Sequence, residues 1–175
     1  MKKKLLVVGF LVLASAGSDL LACGDKFLMP SRGTRFTRAG VPRQPAAILV
    51  YANPSSTLPK ALSKVDVTAT LRKVGYRPTS VSGPAELEAA LRQGGWDLVV
   101  TDLSDGQAVR GRLQGTGAPA VLPVAFNATS ANLAQAKKDY QHILKGTIKS
   151  QAFIEAIDDA LALREKLRAK SRATA

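Results

Sequence analysis

Residues 96–105 read WDLVVTDLSD, an apolar run through Leu98, Val99 and Val100 that ends abruptly in a carboxylate at Asp102. A strand apolar at consecutive positions has no solvated face, so it is buried on both sides, as strands of parallel sheets are. An acid at the emerging end of such a strand escapes the cost of burial only if it stands in a solvated mouth. The stretch thus predicts a covered parallel strand and raises the question of whether Asp102 does chemistry.

Outward from it, the same alternation of strands and helices recurs. AAILVY at 46–51 is a second continuous apolar run, stopped by Asn53-Pro54. A helix is expected from about Pro59, with Val67, Leu71 and Val74 on one face and Gly75 just past its end. RPTSVS is a short strand, and SGPAELEAALRQGG a helix with Pro84 at its first position, Glu86 in its first turn and two glycines at its stop. After Asp102, residues 103–119 carry Gly106, Gly111, Gly115 and Gly117 and are expected to hold only a short or frayed helix. AVLPVAF at 120–126 is a further strand, SANLAQAKKDY a helix and HIL at 142–144 a short last strand. A long helix from about Ser150 presents Phe153, Ile154, Ile157, Ala160 and Leu161 as its apolar stripe. Five strands alternating with helices, joined by right-handed crossovers, give an α/β doubly wound five-stranded parallel sheet sandwich.

The 175 residues fit one domain, and 46% apolar with 22% charged residues is a globular balance. Its predicted extent is 46–163. Before it, residues 1–22 read as an export signal: MKKK is a basic n-region, Leu5–Ala14 is too short for a stable span, and Ala14-Ser15-Ala16 suits signal peptidase. LLAC at 20–23 also has the form of a lipobox, which makes Cys23 a possible lipidation point, although Asp19 is an unusual charge before it. Residues 23–45, with SRGTRFTRAGVPRQP, read as a basic arm, and 164–175 as a basic C-terminal extension. The formal charge is +12; a leader taking three lysines and one aspartate with it leaves about ten.

Cys23 is the only cysteine and His142 the only histidine. That excludes an intramolecular disulfide, a cysteine metal cluster and a histidine-based zinc or nucleophile site. Both residues also have plain readings, as a small residue near a terminus and a structural histidine at a strand end. No GxSxG, strand-borne GxGxxG or Walker loop is present, and GRLQGTG at 111–117 lacks the lysine-hydroxyl pair of a phosphate loop. Asn127-Ala128-Thr129 fits a glycosylation triplet, a pattern that arises by chance.

In a doubly wound sheet, ligands bind in the crevice at the carboxyl ends of the strands. Asn53, Asp102, Asn127 and Lys145 all fall there and are expected to cluster. Over residues 46–162 the chain resembles the receiver domain of two-component response regulators. The resemblance is carried by ILVYANP at the first strand, DLVVTD at the third, VLPVAFNA at the fourth and HILKG at the fifth. It implies a flavodoxin-like fold with Asp102 at the phosphoacceptor position, Lys145 at that of the lysine contacting the phosphoryl group, and His142 near a switching aromatic.

The departures bear on function. A receiver holds Mg²⁺ with an acidic pair after its first strand, because a hard dication wants anionic oxygens. Ala52 and Asn53 stand in that place. Each missing carboxylate removes roughly several kcal/mol of charge attraction at an effective dielectric of about 20. The hydroxyl position holds Asn127 or Ala128, with Thr129 a shift away, and Gly146 replaces the usual proline after the lysine. Export would also separate the domain from cytoplasmic phosphodonors. The expectation is therefore a degenerate, non-enzymatic receiver-like module without metal or cofactor, exported to the periplasm or beyond. Asp102 in it pairs with Lys145 or caps the next helix, and Asp97 and Asp105 are surface or turn residues. Its partner is expected to be a protein or an anionic envelope surface, and nucleic acid is not expected because aromatics for stacking are few. Two alternatives stay open: a cytoplasmic phosphorelay receiver using Asp102, and a small-molecule or anion binder using the strand-end mouth.

Overall fold

In the computed structural model the described residues are 45–113, 115, 117–146 and 149–173. The leader at 1–22, Cys23 and the arm as far as residue 44 lie outside them. Five parallel strands, β1 (Ala47–Tyr51), β2 (Arg77–Val81), β3 (Leu98–Asp102), β4 (Ala120–Ala125) and β5 (Leu144–Lys145), form one sheet in the order β2-β1-β3-β4-β5. The helices between and after them are α1 (Leu58–Leu62), α2 (Val67–Lys73), α3 (Pro84–Gln93), α4 (Leu103–Arg112), α5 (Ser130–Asp139) and α6 (Ser150–Ala173). This is the predicted doubly wound α/β sandwich.

Burial follows the apolar runs. Every residue of β1 and β3 is buried, whereas β2, at the sheet edge, leaves Arg77, Thr79 and Ser80 exposed. Alternation along the strands sends Ile48, Val50, Leu98, Val100, Leu122 and Val124 to one face, where they pack with Leu58, Leu71, Phe153 and Ile157. Leu49, Tyr51 and Val99 go to the other, against Leu87 and Val109. Pro123 is tolerated inside β4 for a geometric reason. The N–H of Ala120 donates to Asp97 and that of Gly146 to Ala125 O, so alternation turns Val121 and Pro123 toward the β5 side. β5 pairs only with Val124 and Ala125, so no ladder bond is lost at Pro123.

Three local expectations are corrected. The helix expected from Pro59 to Val74 is two helices, because Asp66 caps a new start by accepting from the Ala69 N–H at 2.9 Å. Gly75 ends the second at φ 95°, in the left-handed region glycine adopts freely. The glycine-rich stretch holds a full ten-residue helix, α4. The third correction concerns the C-terminus. α6 runs unbroken through the boundary expected at 163, and Arg164 is 8% exposed. Its guanidinium donates to the Asp97 carboxylate at 2.5 Å and to the carbonyls of Trp96, Gly117 and Ala118 at 3.3 Å each. Asp97 also accepts from the Ala47 N–H at 2.9 Å, so one ion pair ties α6 to the amino ends of β1, β3 and β4. Arg168 donates to Gly117 O at 2.8 Å, leaving Lys166, Lys170 and Arg172 as the exposed basic residues of this end.

Candidate functional site

The chain leaves β1 outward to β2 and returns to β3 on the other side of β1, so the crevice of this topology opens between the carboxyl ends of β1 and β3. Asp102 stands there. It is the last residue of β3 and the N-cap of α4, with extended backbone at φ −64°, ψ 150°. One carboxylate oxygen accepts from the Ser104 N–H at 2.9 Å and the Ser104 hydroxyl at 2.8 Å. The other accepts from the Thr57 N–H at 3.0 Å and the Thr57 hydroxyl at 2.5 Å. Thr57 is itself the N-cap of α1, so one carboxylate fastens the loop after β1 to the start of α4.

The carboxylate is therefore enclosed, at 4% exposure. Burial pushes its pKa up, but the four hydrogen bonds from Thr57 and Ser104 outweigh that and hold it below the usual carboxylate range. Of the two structural roles expected for Asp102, capping is the one present. Lys145 is exposed at the end of β5, and among the described residues no ion pair joins it to Asp102.

The other strand-end residues do not all converge. Asn53 accepts from the Ser55 N–H at 3.1 Å and donates to the Asp105 carboxylate at 3.2 Å, so it braces the same loop against the first turn of α4. Asp105 is thus half-buried and partnered, as is Asp97 at the opposite end of the sheet. Asn127 follows β4 at φ 53°, a left-handed conformation that asparagine tolerates better than most side chains. It lines a cavity of about 410 Å³ together with Asp102. Lys145 and Asn53 do not line that cavity: β5 is two residues long and ends at the sheet edge, and Asn53 is held toward Asp105. Thr129 turns out to be the N-cap of α5, accepting from the Asn132 N–H at 3.2 Å. His142 sits half-buried before β5, beside a second hollow between α4, β4 and α6.

The residues present do not suit the Mg²⁺ of the family the sequence resembles. Ala52 offers no ligand, Asn53 is engaged with Asp105, and both oxygens of Asp102 are already committed to neutral donors. Among the described residues no group of three or more His, Cys, Asp or Glu is arranged to hold a metal ion. Neither Thr57 nor Ser104 was singled out by the sequence reading. The Ser104 contact had a signal, since Asp-Leu-Ser at a strand-to-helix junction is a capping pattern. Thr57 had a weaker one, a hydroxyl residue two positions before Pro59.

No protein-family model matches the chain, and no curated protein does. Solved structures do share its fold. A response regulator receiver protein from Burkholderia phymatum aligns with TM-score 0.51 at 20% identity, over 67% of this chain and 95% of that one. The signal receiver domain of a response regulator from Bermanella marisrubri gives TM-score 0.52 at 20% identity, over 67% and 99%. A third, yeast Spc42 trimeric coiled-coil residues 181–211 fused to another protein, gives TM-score 0.55 at 17% identity, over 77% and 95%. The chain has a receiver-like, flavodoxin-like α/β fold.

Proposed function

We propose that this protein is a non-enzymatic receiver-like module of the bacterial cell envelope, exported by its N-terminal leader, that works by binding and is not phosphorylated. The observation that carries the reading is the clasp on Asp102. A phosphoacceptor must present a free carboxylate oxygen as nucleophile beside a metal-bound phosphoryl group. Here both oxygens accept two hydrogen bonds each, and attack by either requires breaking the contacts that seat the loop after β1. Loss of the acidic pair to Ala52 and Asn53 supports the same reading from the metal side.

Binding to a protein or an anionic surface is supported by the +12 formal charge and by the exposed Lys166, Lys170 and Arg172 near the end of α6. Among the described residues no helix is long and apolar enough to cross a membrane, so attachment would rest on the leader, on Cys23 or on charge.

One experiment tests the reading. The protein is recovered from envelope and cytoplasmic fractions of its host, sequenced at its N-terminus and weighed intact. The expected result is a chain processed near residues 16–23, in the envelope fraction, without an acid-labile phosphoryl adduct. An intact Met1 terminus in the cytoplasm, or a phosphoryl group on Asp102, overturns it.

A further inference from the structure

In a doubly wound sheet each helix runs back to where the next strand begins, so the carboxyl ends of the helices gather at the amino ends of the strands. The contacts show that gathering here. Arg110, ending α4, donates to the Asp139 carbonyl, ending α5, at 2.8 Å, and Arg164 of α6 reaches the carbonyls of Trp96 and Ala118 just before β3 and β4. These ends form one pole of the domain, opposite the mouth that holds Asp102.

That pole is basic. Basic residues stand in the last turn of each of α2, α3, α4, α5 and α6. Of the nearby acids, Asp97 holds Arg164 and Glu88 lies 3.7 Å from Arg112, which leaves Asp139 and Glu165. Arg72, Lys73, Arg77, Lys137, Lys138 and Lys166 are exposed, and among the described residues no ion pair joins them to an acid. At the opposite pole Lys145 and Lys149 are accompanied by Asp102, Asp105 and Glu86.

Cations at helix carboxyl ends offset the macrodipole, which explains the sign of each end. It does not explain what α6 adds. From Arg164, at the level of the strand ends, α6 continues to Ala173, which at 1.5 Å per residue carries it roughly 13 Å beyond them. Leu167 stands on this projecting segment at 54% exposure, the one large hydrophobic residue exposed among those described. A lone exposed leucine is ordinary. This one lies between Lys166 and Arg168, and with Leu163, Leu113 and Val121 it lines the hollow of about 310 Å³ between α4, β4 and α6. An apolar strip thus runs out of the fold onto a cationic helix end.

These features fit one kind of partner. Cations spread over a whole end of a domain, without a pocket among them, suit an extended anionic surface. A leucine among basic residues on a helix suits the headgroup layer of a bilayer, where the apolar side chain leaves water and the cations meet phosphate. The basic arm, with Arg32, Arg35, Arg38 and Arg43, joins the domain at Pro45, the amino end of β1 and so the same pole. Attachment through the leader or Cys23 would act on this end of the domain.

We infer that the pole at the amino ends of the strands docks on a bilayer of anionic phospholipid, with the basic helix ends facing headgroup phosphates and Leu167 entering the headgroup layer. The inference rests on the reading of the chain as an envelope binding module and names its surface and its partner.

The test is cosedimentation of the full chain with vesicles of phosphatidylcholine alone and of an equimolar mixture with phosphatidylglycerol. Two double variants carry the same change in net charge: Lys137→Glu/Lys166→Glu at the docking pole and Lys145→Glu/Lys149→Glu at the opposite one. Residues 1–44 are common to both, so whatever they contribute cancels. The first variant is expected to weaken binding to the mixed vesicles about 25-fold or more, at roughly fivefold for each lysine taken from a charged surface. The second should weaken it less than about threefold, its charges lying beyond the screening length. Leu167→Ser is expected to weaken it about fivefold. All three should keep the parent's melting temperature, because the residues are exposed.

The inference is overturned if the mixed vesicles bind the chain no better than phosphatidylcholine does, if the two double variants bind alike, or if Leu167→Ser binds as the parent does. A docking-pole variant that loses affinity for polyglutamate and keeps it for vesicles overturns it in favour of an acidic protein partner. Processing and mass are measured without vesicles. An exported chain that ignores vesicles therefore sinks this inference alone, and a cytoplasmic chain that binds them at this pole sinks only the envelope reading.

Discussion

Thr57 places its backbone N–H 3.0 Å and its hydroxyl 2.5 Å from a single oxygen of Asp102. The two residues are 45 positions apart, and their contact bridges the carboxyl ends of β1 and β3 in the crevice where this topology ordinarily binds ligand. An acid that the strand pattern delivers to the mouth is thereby converted into a fastening between the loop after β1 and α4.

The clasp makes Asp102→Asn destabilising. An asparagine amide would turn an NH₂ group toward donors that now meet an acceptor. The expected loss is about 1–3 kcal/mol, read as a lower urea midpoint at unchanged slope. A residue kept for chemistry behaves oppositely, because relieving a functional site usually leaves stability equal or raises it. An unchanged or higher midpoint contradicts the clasp.

Stability should fall in acid in a way that depends on Asp102 and Asp97. At Asp97 burial pushes upward, and hydrogen bonds from Ala47 and Arg164 outweigh it, so both carboxyls titrate below their unfolded value of about 3.9. Groups depressed in the folded state contribute stability that is fully present above about pH 4 and is lost as pH falls through the folded pKa. Urea midpoints measured between about pH 5 and pH 2 should therefore drop, and the drop should be shallower in Asp102→Asn. An identical acid limb in the variant would contradict the assignment.

Arg164 belongs to the domain. Arg164→Leu strips a half-buried Asp97 of its cation and removes the bonds to the carbonyls of Trp96 and Ala118, while Gly117 keeps its bond from Arg168. A loss of about 3 kcal/mol is expected, against less than about 0.5 kcal/mol for Lys166→Leu on the exposed side of the same helix. Truncation after residue 163 should be at least as damaging as Arg164→Leu. A 46–163 fragment as stable as the full chain would show that α6 ends functionally where the sequence suggested.

Gly106 and Tyr140 are coupled. Gly106→Ala gains helix propensity of about 1 kcal/mol but drives a Cβ to 2.7 Å from the hydroxyl oxygen, so a net loss of about 1–2 kcal/mol is expected. Removing that oxygen in Gly106→Ala/Tyr140→Phe should recover most of it, and the double-mutant cycle should show a favourable interaction term. Additive effects would mean the two residues do not meet.

The strands were the legible part of this chain. ILVY, LVVT and VLPVA are apolar at successive positions, and no helix face competes for such runs, so the class of sheet followed from crossover rules, while the strand order comes from the structure. The break between α1 and α2 was not legible, because Val67, Leu71 and Val74 continue a helical spacing and the cap at Asp66 looks like any surface acid. α4 was underestimated because glycine content lowers helix propensity, whereas Gly106 is needed there to seat Tyr140. At the site, the position of Asp102 could be read and its environment could not. Thr57 and Asp102 meet only through the fold, and Lys145, matched by motif, ends at the edge of a two-residue strand.

The most direct test of the central claim is to incubate the protein with acetyl phosphate and Mg²⁺ and to weigh it intact. With both oxygens of Asp102 committed to Thr57 and Ser104, the mass should remain that of the unmodified chain. An acid-labile phosphoryl adduct that disappears in Asp102→Asn would contradict the account.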